Sequence, residues 1–177
     1  MKKITVNSMV MTALLISISV VLARFCVVYI TPSVRINFGN VPIMLSGLMF
    51  GPVIGALSGL IADIIGSVLL SALGWYPPLT VSAAIMGFVP GILAFLFKNE
   101  QNMKRTLIIV FCSNFFGTML WSTFWLAKLS NVTFWSLAVV RFPLYIGMTV
   151  LESILLLAIY RAVKKFNRKA DDKDDLR

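Results

Sequence analysis

An all-α integral membrane protein with six transmembrane helices is the fold this sequence predicts. Three observations carry it. Hydrophobic residues make up 59% of the 177 and charged residues only 13%, with a mean hydropathy of +0.91; a soluble domain is far more charged, so much of this surface must face lipid. The apolar residues fall into runs close to the roughly 20 needed to cross the hydrocarbon core. Finally, 12 of the 16 Lys and Arg residues sit at the N-terminus, between Lys98 and Arg105, or from Arg161 onward. Basic residues so placed orient a membrane protein and remove the nucleic-acid reading that a net charge of +9 invites.

Span one is read over 8–30. Its apolar run exceeds the ~7–15 residues of a signal-peptide core, and Arg24 stands where a cleavage site would need small residues. Span two, 41–50, is too short to cross upright, so any irregular backbone beside it must be shielded by protein or line a cavity. Gly51-Pro52 breaks the chain sharply before span three, 53–73. Span four covers 80–97 and contains Pro90, span five 105–127, and span six 137–163. Residues 1–168 then form one six-helix domain, and 169–177 a charged tail of mixed sign, read as solvated and disordered. Six crossings put both termini on one side, and the basic clusters make that side the cytoplasm. The external loops are then 31–40, 74–79 and 128–136.

Small residues recur at four-residue spacing: Gly47, Gly51, Gly55 and Gly59; Ala83, Gly87 and Gly91; Ala13 and Ser17. Such spacing lets helix backbones approach closely, and its plain reading is internal packing. Cys26 and Cys112 lie in apolar segments without metal-type spacing, so neither a disulfide nor a metal site is implied.

Arg24, Arg35, Lys128 and Arg141 gather toward the outer mouth, where no external loop holds an acid. Charges in spans are costly and face a cavity or a partner. Lys128 fits snorkelling to lipid phosphate; Arg24 and Arg141, flanked by apolar residues, fit a pocket for an anion. On span five, Asn114, Gly117, Trp121, Trp125 and Lys128 form one stripe spaced by three or four. A buried amide with indoles above it suits a flat heteroaromatic ring, while an interfacial aromatic belt also accounts for Trp125. Arg141, Tyr145, Met148 and Glu152 share a face of span six. Trp75 and Tyr76, in GWYPP, read equally as a lid or as belt residues. Asp63 and Glu152, the only acids within spans, read as interhelical hydrogen-bonding groups or as proton carriers. No histidine, Walker motif or paired nucleophile is present, so the chain is expected to be no enzyme, to bind no cofactor, and to hydrolyse no ATP itself.

T-P-x-x-R-I at 31–36, Pro42, F-G-P at 50–52, G-x3-G at 55–59 and D-x2-G at 63–66 resemble the substrate-binding S components of energy-coupling-factor (ECF) vitamin transporters. Arg24 with TPSVRINF looks most like the folate-specific member. The resemblance spans nearly the whole chain. It implies a six-helix protein that captures a vitamin from outside and docks on a membrane scaffold subunit with two ATPase subunits, which use the ATP. It places Arg24, Arg35, Trp75, Tyr76, Asn114, Trp121 and Arg141 around the ligand. Folate joins a flat pterin to a dicarboxylate tail, which calls for stacking and for cations. The family's A-x3-A docking motif reads Ala13-x3-Ser17 here, nearly on the same helix face as Arg24. An S component for riboflavin, thiamine or a queuosine precursor, and a stand-alone proton-coupled carrier using Asp63 and Glu152, are the alternatives.

Overall fold

The computed structural model describes residues 6–25, 27–31, 34–70, 75–97 and 102–174. Its elements are α1 (Val6–Phe25), β1 (Val27–Thr31), β2 (Val34–Asn37), α2 (Asn40–Phe50), α3 (Pro52–Leu70), α4 (Pro77–Leu96), α5 (Met103–Ser113), a π-helical segment (Asn114–Ser122), α6 (Thr123–Leu129) and α7 (Phe134–Asp174). The helical stretch Met103–Leu129 is continuous, so α5, the π segment and α6 make one crossing. Among the described residues five helices are long and apolar enough to span a membrane, and Asn40–Phe50 is a shorter apolar helix.

The bundle is organised by burial around α2. Eleven residues rise only about 16 Å, half the hydrocarbon thickness, yet Val41 to Leu48 are all buried. Met44, Leu45, Met86, Ile109, Val110 and Leu156 form the centre of the core, drawn from α2, α4, α5 and α7. The shielding that so short a helix requires is therefore supplied by protein on every side. In contrast, α1 and the outward faces of the longer helices expose large apolar side chains, as a lipid-facing surface does.

The α2–α3–α4 layer rests on its small residues. Gly51 has φ +98°, a value L-residues with a side chain rarely adopt, and it ends α2 while its N–H reaches the Gly47 carbonyl at 3.0 Å. The sharp turn sends α3 back along α2. A Cβ on Gly87 would run into the Gly55 carbonyl, and one on Gly91 would sit 2.5 Å from the Pro52 nitrogen. Ser46 and Ser58 hydroxyls also bond across the α2–α3 seam. Gly87→Ala is accordingly expected to cost roughly 2 kcal/mol through forced separation of α3 from α4. Thermal unfolding in detergent checks it, and a midpoint equal to the parent's would refute the backbone contact.

Several boundaries differ from those read in the sequence. The first helix stops at Phe25 rather than 30, because Val27, Val28, Tyr29 and Ile30 enter a strand. What reads as the external loop 31–40 is largely an antiparallel hairpin, with Tyr29 opposite Arg35 and Val28 opposite Ile36. Its end is anchored to α1: Ser19 Oγ donates to the Gly39 carbonyl at 2.7 Å, and the Gly39 N–H donates to Asn37 Oδ1 at 2.6 Å. At the other end of the chain the tail is not irregular, since α7 continues through residues 169–174. At 41 residues α7 is about 60 Å long, twice the hydrocarbon thickness, so its charged end lies beyond the membrane. Helices α4 and α7 run through Pro90 and Pro143 respectively.

Candidate functional site

Two polar networks cross the bundle, one joining α3, α4 and the π segment and the other joining the π segment to the first half of α7. The first runs across α3 and α4. The Trp75 indole N–H donates to Thr80 Oγ1 at 2.8 Å, and the Thr80 hydroxyl donates to Asp63 Oδ2 at 2.7 Å. The Trp121 indole N–H donates to the Pro78 carbonyl at 2.8 Å, joining the fifth crossing to the same turn of α4. Tyr76 occupies the N-cap position of α4 without a side-chain cap bond. One turn beyond Asp63, Gly66 makes room for Arg24: a Cβ there would lie 3.0 Å from Arg24 Nε and 3.1 Å from Nη2. The glycine of the D-x2-G motif thus seats the arginine of α1.

The second network ties the π segment to α7. Asn114 Nδ2 donates to Glu152 Oε2 at 2.8 Å and lies 3.3 Å from Thr149 Oγ1. Glu152 is 1% exposed. Higher up, Arg141 Nη1 donates to Thr123 Oγ1 at 3.1 Å. The face shared by Arg141, Tyr145 and Glu152 therefore packs on the fifth crossing. Both acids within the spans serve interhelical hydrogen bonds.

The helical stripe expected on the fifth crossing is divided. A π-helix bonds i to i+5 and winds more slowly than an α-helix, and such segments are frequent at functional sites. Asn114 consequently faces Glu152 on α7, whereas Gly117 meets Met86 and Ser82 on α4, where a Cβ would be 2.9 Å from Met86 Cγ. Freed backbone carbonyls accept side-chain bonds, from Ser82 to Gly117 and from Thr123 to Thr118. Trp121 is not deep in the bundle but 37% exposed. Lys128 lies 5.1 Å from the Trp125 ring centroid and 5.2 Å from that of Phe124, at the outer end of the stripe.

The geometry thus links Trp75 and Trp121 through one turn of α4, and Asn114 and Arg141 through the α7 face. Arg24 is seated on the α1–α3 side, and the Arg35 side chain lies outside the described residues. Ala13 and Ser17 are exposed on α1, with Ser17 Oγ donating to the Ala13 carbonyl at 3.0 Å. Depth separates them from Arg24, which packs on Gly66. Cys112 is a free thiol, and Cys26 lies outside the described residues. An open groove of about 800 Å³ between α4 and the fifth crossing is lined by apolar side chains such as Ile85, Val89, Phe116 and Leu120, along with Trp121 and Trp125. Among the described residues no arginine lines it, while Lys128 lies over the rings of Phe124 and Trp125 at its border. The Thr80 relay carries no signal in the sequence, since it joins distant helices without any spacing pattern.

A family model described as the S component of ECF-type riboflavin transporters matches residues 3–165. The chain belongs to the ECF-type S components. The folate transporter FolT of Clostridium novyi (strain NT) is 30% identical over 168 residues, covering 95% of this chain and 93% of that protein. Among solved structures, FolT bound with folic acid superposes with a TM-score of 0.78 at 22% identity, covering 89% of this chain and 95% of that one. The biotin S component of an ECF-type ABC transporter gives 0.71 at 21% identity, covering 92% and 95%. At these identities the two structures establish the shared fold. The S component described here is a multi-pass protein of the bacterial plasma membrane and a part of a transport system, in agreement with the motif resemblance.

Proposed function

We propose that this S component captures folate at the hairpin end of the bundle, from outside the cell, and delivers it to an ATP-driven module. The observation that carries the reading is the pairing of tethered indoles, Trp75 and Trp121, with Arg141 on the neighbouring helix. A pterin offers a flat face for stacking, and its glutamate tail offers two carboxylates for guanidinium groups. Identity to the Clostridium novyi folate transporter along nearly the full chain supports the same substrate. Arg24, Arg35, Tyr76 and Asn114 complete the proposed set, with Asn114 held in place by Glu152 rather than free to turn.

In this reading both termini are cytoplasmic. Ala13 and Ser17 form part of the surface that docks a membrane scaffold subunit, and two ATPase subunits complete the assembly. The chain itself performs no chemistry and holds no cofactor. The engagement of Asp63 and Glu152 in interhelical bonds argues against a self-sufficient proton carrier. The match to a riboflavin-type family model favours one second reading, riboflavin in place of folate.

Mass spectrometry of the small molecule that co-purifies with the protein, followed by equilibrium binding, separates the two. Folate is expected to co-purify and to compete with labelled folate stoichiometrically. A flavin in its place, or no folate binding, would overturn the substrate.

A further inference from the structure

Asp63 opens the D-x2-G motif, and its carboxylate receives the Thr80 hydroxyl at 2.7 Å. The direction of this chain of bonds is fixed by the inventory of its members. An indole N–H can only donate, a hydroxyl has one hydrogen to give, and a carboxylate only accepts. Trp75 therefore gives to Thr80, and Thr80 gives to Asp63. Thr80 is 4% exposed, so no solvent competes for either bond, whereas the Trp75 ring is 50% exposed. The polar edge of Trp75 is spent inward and its ring remains available. Pro77 and Pro78, two and three residues further on, restrict the backbone of the turn that carries the ring. Trp121 is tethered to the same turn by the Pro78 carbonyl.

We propose that Asp63 is a positioning residue of the ligand site: acting through Thr80, it fixes the Trp75 ring as an aromatic wall for the ligand, on a turn that also tethers Trp121. This rests on the reading of Trp75 as a ligand-contacting residue. Stacking strength depends on ring orientation, so a fixed wall reduces the ordering cost of capture and slows release. The motif's two ends then have related duties, Asp63 setting an indole and Gly66 seating Arg24.

The test measures folate affinity and dissociation rate in nanodiscs for W75F, T80V, T80S, D63L and the double variant W75F/T80V, together with indole emission of the ligand-free proteins. T80V removes the hydroxyl at nearly constant shape and strands the indole N–H. It is expected to speed release by about tenfold, as is D63L, while T80S restores the parent rate. In the W75F background T80V is expected to add nothing. The ligand-free T80V protein should show a red-shifted emission component that W75F lacks. Equal T80V effects with and without Trp75 would overturn the proposal, because the hydroxyl would then act on packing alone. An emission shift without a change in release would overturn the link to the ligand. A W75F protein that binds folate like the parent would instead overturn Trp75 as a wall, and the emission shift would still report whether the relay exists.

Discussion

Replacing Glu152 by alanine is expected to destabilise the bundle by about 4 kcal/mol, read as a fall in the unfolding midpoint in detergent. The side chain is 1% exposed and joins α7 to the fifth crossing, accepting from Asn114 on the π segment. Truncation strands a buried amide that has no water to turn to, at about 1–3 kcal/mol for each orphaned group, and leaves a cavity besides. Glu152→Gln keeps an oxygen acceptor at the same place and is expected to cost about 1 kcal/mol. The contrast between the two separates hydrogen bonding from charge. If alanine leaves stability untouched while uptake is lost, Glu152 returns to a role in transport itself.

A helix as short as α2 is placed firmly from both ends. Ser19 of α1 holds its approach through the Gly39 carbonyl, and the Gly51 turn fixes its far end. The second strand of the hairpin thus runs directly into a firmly packed layer. This placement agrees with the small-residue seam between α3 and α4, where backbone meets backbone and nothing can slide cheaply.

The seam was legible because glycines at four-residue spacing admit few readings in an apolar helix, and Gly55, Gly87 and Gly91 do meet the neighbouring backbone. The end of α1 was not legible. Hydropathy alone carries residues 26–30 on as helix, although Val27, Val28, Tyr29 and Ile30 are strand-forming types, and a short apolar run does not distinguish the two. The stripe on the fifth crossing failed for another reason. It assumed 3.6 residues per turn, and a π segment changes which residues lie above one another, so Asn114 and Trp121 turned to different neighbours. Asp63 was read as a packing or hydrogen-bonding acid, and its partner Thr80 lies 17 residues away on another helix, where no periodic signal reaches.

Arg141→Ala is expected to weaken folate binding about a hundredfold while changing the affinity for a pterin without the glutamate tail by less than about threefold. A charge-assisted hydrogen bond to a carboxylate is worth roughly 1.5–3 kcal/mol, and 1.4 kcal/mol is a factor of ten. The guanidinium lies 3.1 Å from Thr123 Oγ1, which ties it from α7 to the fifth crossing. Arg141→Lys retains the charge but not the planar fork and should fall between alanine and the parent. The ligand pair makes the result specific. Equal losses for both molecules would mean that Arg141 supports the site through Thr123 alone. An unchanged folate affinity would remove the cation from the site and strengthen the case for a less charged vitamin. A loss confined to the tailed ligand ties the arginine of α7 to the acidic end of folate and leaves the indoles around α4 for its ring.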